Sequence, residues 1–271
     1  MKYAIIIIIL LALSIFVPLL VFFLIEKQKN KKFKIWIKTI VTISSSLFLL
    51  VFIVCAYLGI FYGAEDEAYK ALNSDYNVEV YDEKKYYFFD NKENNKDAII
   101  FYSGAKVEEA AYAPLMHSIA SEGIDVYLLK MPFHFALLGI NKANLVMENS
   151  NYENVYLMGH SLGGTTASVY LSTTSYNFKG IIFLASYPSK QIKESLSSLS
   201  IYGTKDNVLN MEVFNKKKSL LPTNQTIVEI DGGNHSYYGN YGDQKNDGIA
   251  TISRLEQQKI TKDAIIKYIL G

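Results

Sequence analysis

Apolar positions along this chain follow two different patterns, which meet near residue 64. Tyr3 to Ile25 carries no charged side chain, and neither does Thr39 to Ala64. At about 1.5 Å of rise per helical residue, each run is long enough to cross a hydrocarbon core of roughly 30 Å. Pro18 does not argue against the first run, because proline is tolerated more readily in membrane helices than in soluble ones. Beyond Ala64 the apolar runs shorten and alternate with longer amphipathic stretches. Strands are predicted over Asn77–Tyr81, Tyr86–Phe89, Ala98–Tyr102, Val126–Lys130, Val155–Met158, Gly180–Leu184, Leu199–Tyr202 and Thr226–Ile230. Helices are predicted over Glu108–Glu122, Ile140–Glu148, Gly163–Ser172, Val208–Lys217 and Thr251–Leu270. Two early strands followed by strand–helix alternation predict an α/β fold, a doubly wound and mostly parallel sheet with helices on both faces.

The expected organisation is therefore a membrane anchor over 1–64, with transmembrane helices at about 3–25 and 39–62, and a globular domain over 65–271. A cleaved signal peptide fits the first run less well, since its apolar core is too long and no small-x-small cleavage site follows. Charge sets the expected orientation. The connecting loop holds Lys27, Lys29, Lys31, Lys32, Lys34 and Lys38 against Glu26, whereas the second helix exits into Glu65-Asp66-Glu67. Lysine-rich loops stay cytoplasmic, so both termini and the globular domain are expected outside. The net charge is +1, which offers nothing to attract nucleic acid. Cys55 is the lone cysteine and lies in the second apolar run, which excludes an intrachain disulfide and a cysteine metal cluster.

Candidate chemistry is concentrated at Gly159-His160-Ser161-Leu162-Gly163, directly after the run Val155-Tyr156-Leu157-Met158 and before the small residues Gly164-Thr165-Thr166-Ala167-Ser168. A strand entering Gly-x-Ser-x-Gly and leaving as a helix is a nucleophile elbow, with Ser161 raised at the top of the sheet. The partners of such a serine follow in the order acid, then histidine. Of the four histidines only His235 lies downstream of Ser161, in the loop Asp231-Gly232-Gly233-Asn234-His235 after a predicted strand. That is the place for a general base that takes the serine proton and returns it to the leaving group. Glu194, Asp206, Glu212, Glu229 and Asp231 are the acids between them. Asp206 is preferred because it sits in a turn that ends a strand, Gly203-Thr204-Lys205-Asp206, from which a carboxylate reaches an imidazole. Asp231 competes by sharing a loop with His235.

From about Tyr76 onward the chain resembles the alpha/beta-hydrolase superfamily, in its compact branch related to dienelactone-hydrolase-like and fold-5 hydrolases. The resemblance is carried by Phe101-Tyr102-Ser103-Gly104-Ala105-Lys106-Val107, Lys130-Met131-Pro132-Phe133, Gly159 to Gly164, Tyr202-Gly203-Thr204-Lys205-Asp206 and Gly232-Gly233-Asn234-His235, in that order. The run Asp247-Gly248-Ile249-Ala250-Thr251-Ile252-Ser253-Arg254 adds to it. An oxyanion hole is expected from the amide of Leu162 and from the loop after the third predicted strand, where Ala105 is the choice and Lys106 the neighbour to consider. Ser103-Gly104-Ala105 departs from the richer glycine or His-Gly pattern usual in the family.

Other residues have ordinary roles as good as catalytic ones. His160 reads as packing in the elbow, His134 as structural or pocket-lining, and His117 as a surface residue of an amphipathic helix. Tyr237, Tyr238 and Tyr241 suit either an acyl pocket or the core, and Arg254 suits an ion pair with Asp243 or Asp247. The short chain between Ser161 and Asp206 leaves no room for a large lid, so an open or shallow site is expected. Together these features predict a membrane-held serine hydrolase acting on a small-molecule or lipid-like ester, without metal or organic cofactor. An acyltransferase or thioesterase with the same three residues, or a non-catalytic tethered interaction domain, are the alternatives.

Overall fold

The computed structural model describes residues 2–30, 32–93, 95–149 and 151–271. It divides into two units, Met1–Ile60 and Phe61–Gly271. The first unit is two helices, α1 (Lys2–Lys29) and α2 (Ile35–Leu58). Their contacts show that they run in opposite directions. Ser14 Oγ lies 3.1 Å from Ser46 Oγ, and Lys38 Nζ 2.7 Å from a Glu26 carboxylate oxygen. Helix α2 starts earlier than its apolar run, because Lys38 is neutralised by Glu26 and Ile35-Trp36-Ile37 precede it. It ends at Leu58, where the Gly59 amide closes on the Cys55 carbonyl at 2.8 Å. Among the described residues, Ile35–Tyr57 is the one helical stretch long and apolar enough to cross a membrane. The expected first span falls partly on side chains (residues 3–9 and 11) that lie outside the described ones.

The second unit is built on one sheet of eight strands. They are β1 (Glu79–Asp82), β2 (Tyr86–Asp90), β3 (Asp97–Tyr102), β4 (Asp125–Leu129), β5 (Asn154–His160), β6 (Gly180–Leu184), β7 (Ser197–Gly203) and β8 (Gln225–Ile230). The spatial order is β1-β2-β4-β3-β5-β6-β7-β8, with β1 and β2 antiparallel and all pairs from β4 to β8 parallel. Around it stand α3 (Asp66–Lys70), α4 (Ala113–Ala120), α5 (Asn144–Met147), α6 (Leu162–Thr173), α7 (Met211–Lys217) and α8 (Arg254–Leu270). Central strands are covered on both faces, which is why β3 and β5 read as unbroken apolar runs. On β3, Ile99 and Phe101 join the core that includes Leu115 and Met116 of α4, whereas Ala98, Ile100 and Tyr102 join the core that includes Ala167 and Tyr170 of α6.

Four predicted helices are shorter than the patterns suggest, each for a local reason. The stretch Glu108–Glu122 splits into a 3₁₀ turn, Glu109–Tyr112, and α4, whose first turn accommodates Pro114. In place of Ile140–Glu148 there is a 3₁₀ segment over Ala136–Ala143 followed by α5. Helix α7 begins only at Met211, with Asn210 as its cap, because the preceding amides are taken by Asp206. Helix α8 begins at Arg254, where Ser253 accepts the Glu256 amide hydrogen at 3.1 Å.

Candidate active site

Ser161 is the single residue between β5 and α6, with φ 52° and ψ −122°. A non-glycine residue in this region is strained by about 1–3 kcal/mol. The surroundings hold it there: Ser161 N–H donates to the Leu184 carbonyl at 2.9 Å, and Ser186 Oγ donates to the Ser161 carbonyl at 2.6 Å. The elbow depends on missing side chains. A Cβ on Gly159 would meet the backbone of Gly163 and Gly164, and one on Gly163 would meet the carbonyls of Tyr102 and Ser103. Helix α6 therefore packs directly against the end of β3.

Strands β5, β7 and β8 run parallel, so the loops that follow them emerge at one edge of the sheet. This brings Asp206 and His235 together. His235 Nδ1–H donates to Asp206 Oδ2 at 2.8 Å, with both side chains almost wholly buried. The other carboxylate oxygen accepts the amide hydrogens of Val208 at 2.8 Å and Leu209 at 2.7 Å. Because the carboxylate accepts at Nδ1, the lone pair of the neutral imidazole is left on Nε2. That atom is buried and has no hydrogen-bond partner among the described residues. Ser161 and His235 line one cavity of about 260 Å³, with Leu162, Thr165, Tyr187 and Leu209 among its other walls. The competing acids are engaged elsewhere. Asp231 accepts from Thr204, Glu229 from Tyr202, Glu194 from Thr223, and Glu212 from Lys216.

His160 does more than pack. Its Nε2 lies 3.0 Å from the His235 carbonyl, which can only accept, so the proton is on Nε2. Its Nδ1 then accepts from Tyr112 Oη at 2.8 Å, and Tyr112 Oη accepts from the Gly104 amide at 3.1 Å. Complete burial, and secondarily the charge of His235, holds His160 well below the usual imidazole range, which keeps it neutral and fixes that tautomer. This relay ties the loop after β3, the elbow and the His235 loop together. Asp247 and Gln257 hold the His235 loop from the other side. Asp247 accepts the amides of His235 at 3.2 Å and Ser236 at 2.8 Å, while Gln257 bonds both the amide and the carbonyl of Asn234. The sequence does not single out Tyr112 or Gln257; it marks Asp247 only as the start of the family-like run and as a candidate partner of Arg254, not as the acceptor of the His235 and Ser236 amides.

Of the two expected oxyanion donors, the Leu162 amide opens α6 and has no carbonyl within the helix to meet. The Ala105 amide donates to no group among the described residues. Lys106 drops out, since its amide donates to the His134 carbonyl at 2.6 Å. His134 itself pairs with the buried Glu109 at 2.8 Å and is not a wall of the Ser161 cavity. His117 is largely buried, bonded to the Ala71 carbonyl and to Asp75, and so is not the surface residue expected. Tyr238 and Tyr241 belong to the core, and Tyr237 lines a neighbouring cavity with Asp243 and Asp247. Arg254 pairs with Glu65 rather than with Asp243 or Asp247, because the Asp247 carboxylate is already occupied by backbone amides.

The sequence pattern of the alpha/beta hydrolase family matches residues 98–259, which runs from Ala98 in β3 through β8 and includes the elbow. The chain belongs to this family. No curated protein matches it significantly in sequence. Solved structures share the hydrolase fold at low identity. TT1662 from Thermus thermophilus is 13% identical with a TM-score of 0.53, covering 72% of this chain and 99% of its own. The alpha/beta hydrolase MGS-MChE2, from the metagenome of sediments of the Mar Chica lagoon in Morocco, is 17% identical at 0.51, covering 70% and 98%. Est1E from Butyrivibrio proteoclasticus, solved with ferulic acid bound, is 12% identical at 0.50, covering 72% and 97%. All three are matched over nearly their whole length.

Proposed function

We propose that this member of the alpha/beta hydrolase family is a serine hydrolase that cleaves a carboxylic ester or related acyl bond through Ser161, His235 and Asp206. The observation that carries this reading is the buried Asp206–His235 pair: His235 lines one cavity with Ser161, and its Nε2 has no hydrogen-bond partner among the described residues. Asp206 orients the imidazole and stabilises the imidazolium that forms when Nε2 takes the serine proton. Ser161 Oγ adds to the substrate carbonyl, and the amides of Leu162 and Ala105 receive the developing oxyanion. The imidazolium returns its proton to the leaving alcohol. Water, deprotonated by the same Nε2, then releases the acid and restores Ser161.

The same reading makes α1 and α2 a two-pass membrane anchor with the catalytic unit outside. It is supported by the uncharged runs, by the six lysines between them, and by serines where the helices meet. Small hydroxyl residues are favoured where membrane helices approach closely, since a hydroxyl there needs a partner. The test is labelling of the detergent-solubilised full chain with a fluorophosphonate probe beside a Ser161→Ala variant. Covalent labelling of the parent that is lost in the variant is expected. A folded parent that never labels would sink the proposal and favour a non-catalytic role for the fold.

A further inference from the structure

The strained turn that follows β4 takes no part in lining the Ser161 cavity, yet it is firmly built. Phe133 and His134 both have positive φ, 53° and 52°. Two successive non-glycine residues in that region are held only where the surroundings over-determine them. Here Glu109, itself buried, accepts the Met131 amide hydrogen at 2.9 Å and meets His134 Nδ1 at 2.8 Å, and the Lys106 amide donates to the His134 carbonyl. The bond to Glu109 raises the His134 pKa above its usual value, which strengthens the clamp. What the clamp achieves is display. Phe133 is 51% exposed, and Leu137 and Leu138 just beyond it are 44% and 52% exposed. The ring of Phe61, also exposed, packs on the His134 ring at a centroid distance of 4.2 Å.

The occupant of this surface follows from chain connectivity. Helix α2 ends at Leu58. Three residues span at most about 10 Å, so Phe61 stays within that distance of the helix end whatever angle the chain takes. If α2 spans a bilayer, no more than about 10 Å of chain joins its end to Phe61, which packs on the His134 turn, and aromatic side chains partition favourably into the headgroup region. Lys85, which is exposed and lines a cavity with Leu138, adds a cation suited to lipid phosphates. The turn follows the C-terminal end of β4, at the same edge of the parallel sheet as Ser161.

We propose that Phe61, Phe133, Leu137 and Leu138 form a docking surface for the lipid bilayer, which holds the catalytic edge of the sheet against the membrane so that acyl substrates enter from the interface. This rests on the membrane-anchor reading above. The experiment uses the full chain with Cys55→Ser, reconstituted into phosphatidylcholine–phosphatidylglycerol vesicles that carry a nitroxide on the lipid headgroup. A fluorophore is attached at Phe133→Cys, at Leu138→Cys in a second chain, and at Leu270→Cys as the control. Leu270 ends α8 near Tyr268, whose hydroxyl bonds Ser197 at the start of β7, the opposite edge of the sheet. After a carbonate wash, the proposal expects retention in the vesicles and quenching about twofold stronger at positions 133 and 138 than at 270. Retention with equal quenching at all three positions overturns the docking surface and leaves the anchor standing. Loss of the chain in the wash overturns both.

Discussion

Asp206 has two tasks at once, and they separate by substitution. One oxygen orients His235 and the other ends a turn by accepting two amides. Asp206→Asn keeps an acceptor for the amides but presents the wrong partner to Nδ1. It should lower kcat on an ester by roughly 10³ to 10⁴-fold, with the thermal midpoint nearly unchanged, as steady-state kinetics beside a melting curve will show. His160 leaves its signature in pH. Its folded pKa lies well below the unfolded value of about 6.5, so the unfolded chain binds the extra proton as the medium is acidified. Its contribution is fully present above that value and is lost as pH falls from it toward the folded pKa. His160→Gln should flatten this acid limb of the melting temperature, measured across pH 5 to 7.5 on the parent and the variant. The partnership of His160 with Tyr112 and Gly104 was not legible in the sequence, because it joins positions far apart along the chain.

At the scale of elements, the elbow is a packing solution before it is a chemical one. Gly163 lets α6 approach the carbonyls of Tyr102 and Ser103, backbone atoms that cannot rotate away. Gly163→Ala should therefore cost about 1–3 kcal/mol and lower the thermal midpoint measurably. Gly63→Ala is the contrast, since its nearest neighbour beyond the adjoining residues is the Glu108 carboxylate at 3.7 Å, and it should shift stability by less than about 0.5 kcal/mol. Equal melting temperatures for the two variants would overturn this account. Strands were easier to read than helices for a related reason. The buried strands are marked by continuous apolar runs, such as Ala98–Tyr102, that the sheet itself demands. The starts of α4, α7 and α8 were instead decided by capping hydrogen bonds, proline and turns, which periodicity does not report.

For the whole molecule, the chief expectation is topological. A reporter that works only outside the cytoplasm, fused after Gly271, should be active, and the same reporter placed in the lysine-rich loop near Lys32 should be silent. The reverse pattern would put the catalytic unit in the cytoplasm and remove the reason for an outward-facing site.

The amino-acid sequence alone determined the alternation of strands and helices, the elbow around Ser161, and the positions at which an acid and a histidine follow it. These are local or ordered along the chain, and periodicity or spacing carries them. The tertiary structure decided which carboxylate meets His235. Asp206 and Asp231 both lie in loops at the Ser161 edge of the sheet, and only the distances between β7 and β8 loops distinguish a bond to imidazole from a bond to Thr204. It also decided that Arg254 turns to Glu65 and that Lys106 is spent on the turn at His134. Each of these depends on which partner reaches a donor or acceptor first in three dimensions, a competition that is invisible until the chain has closed on itself.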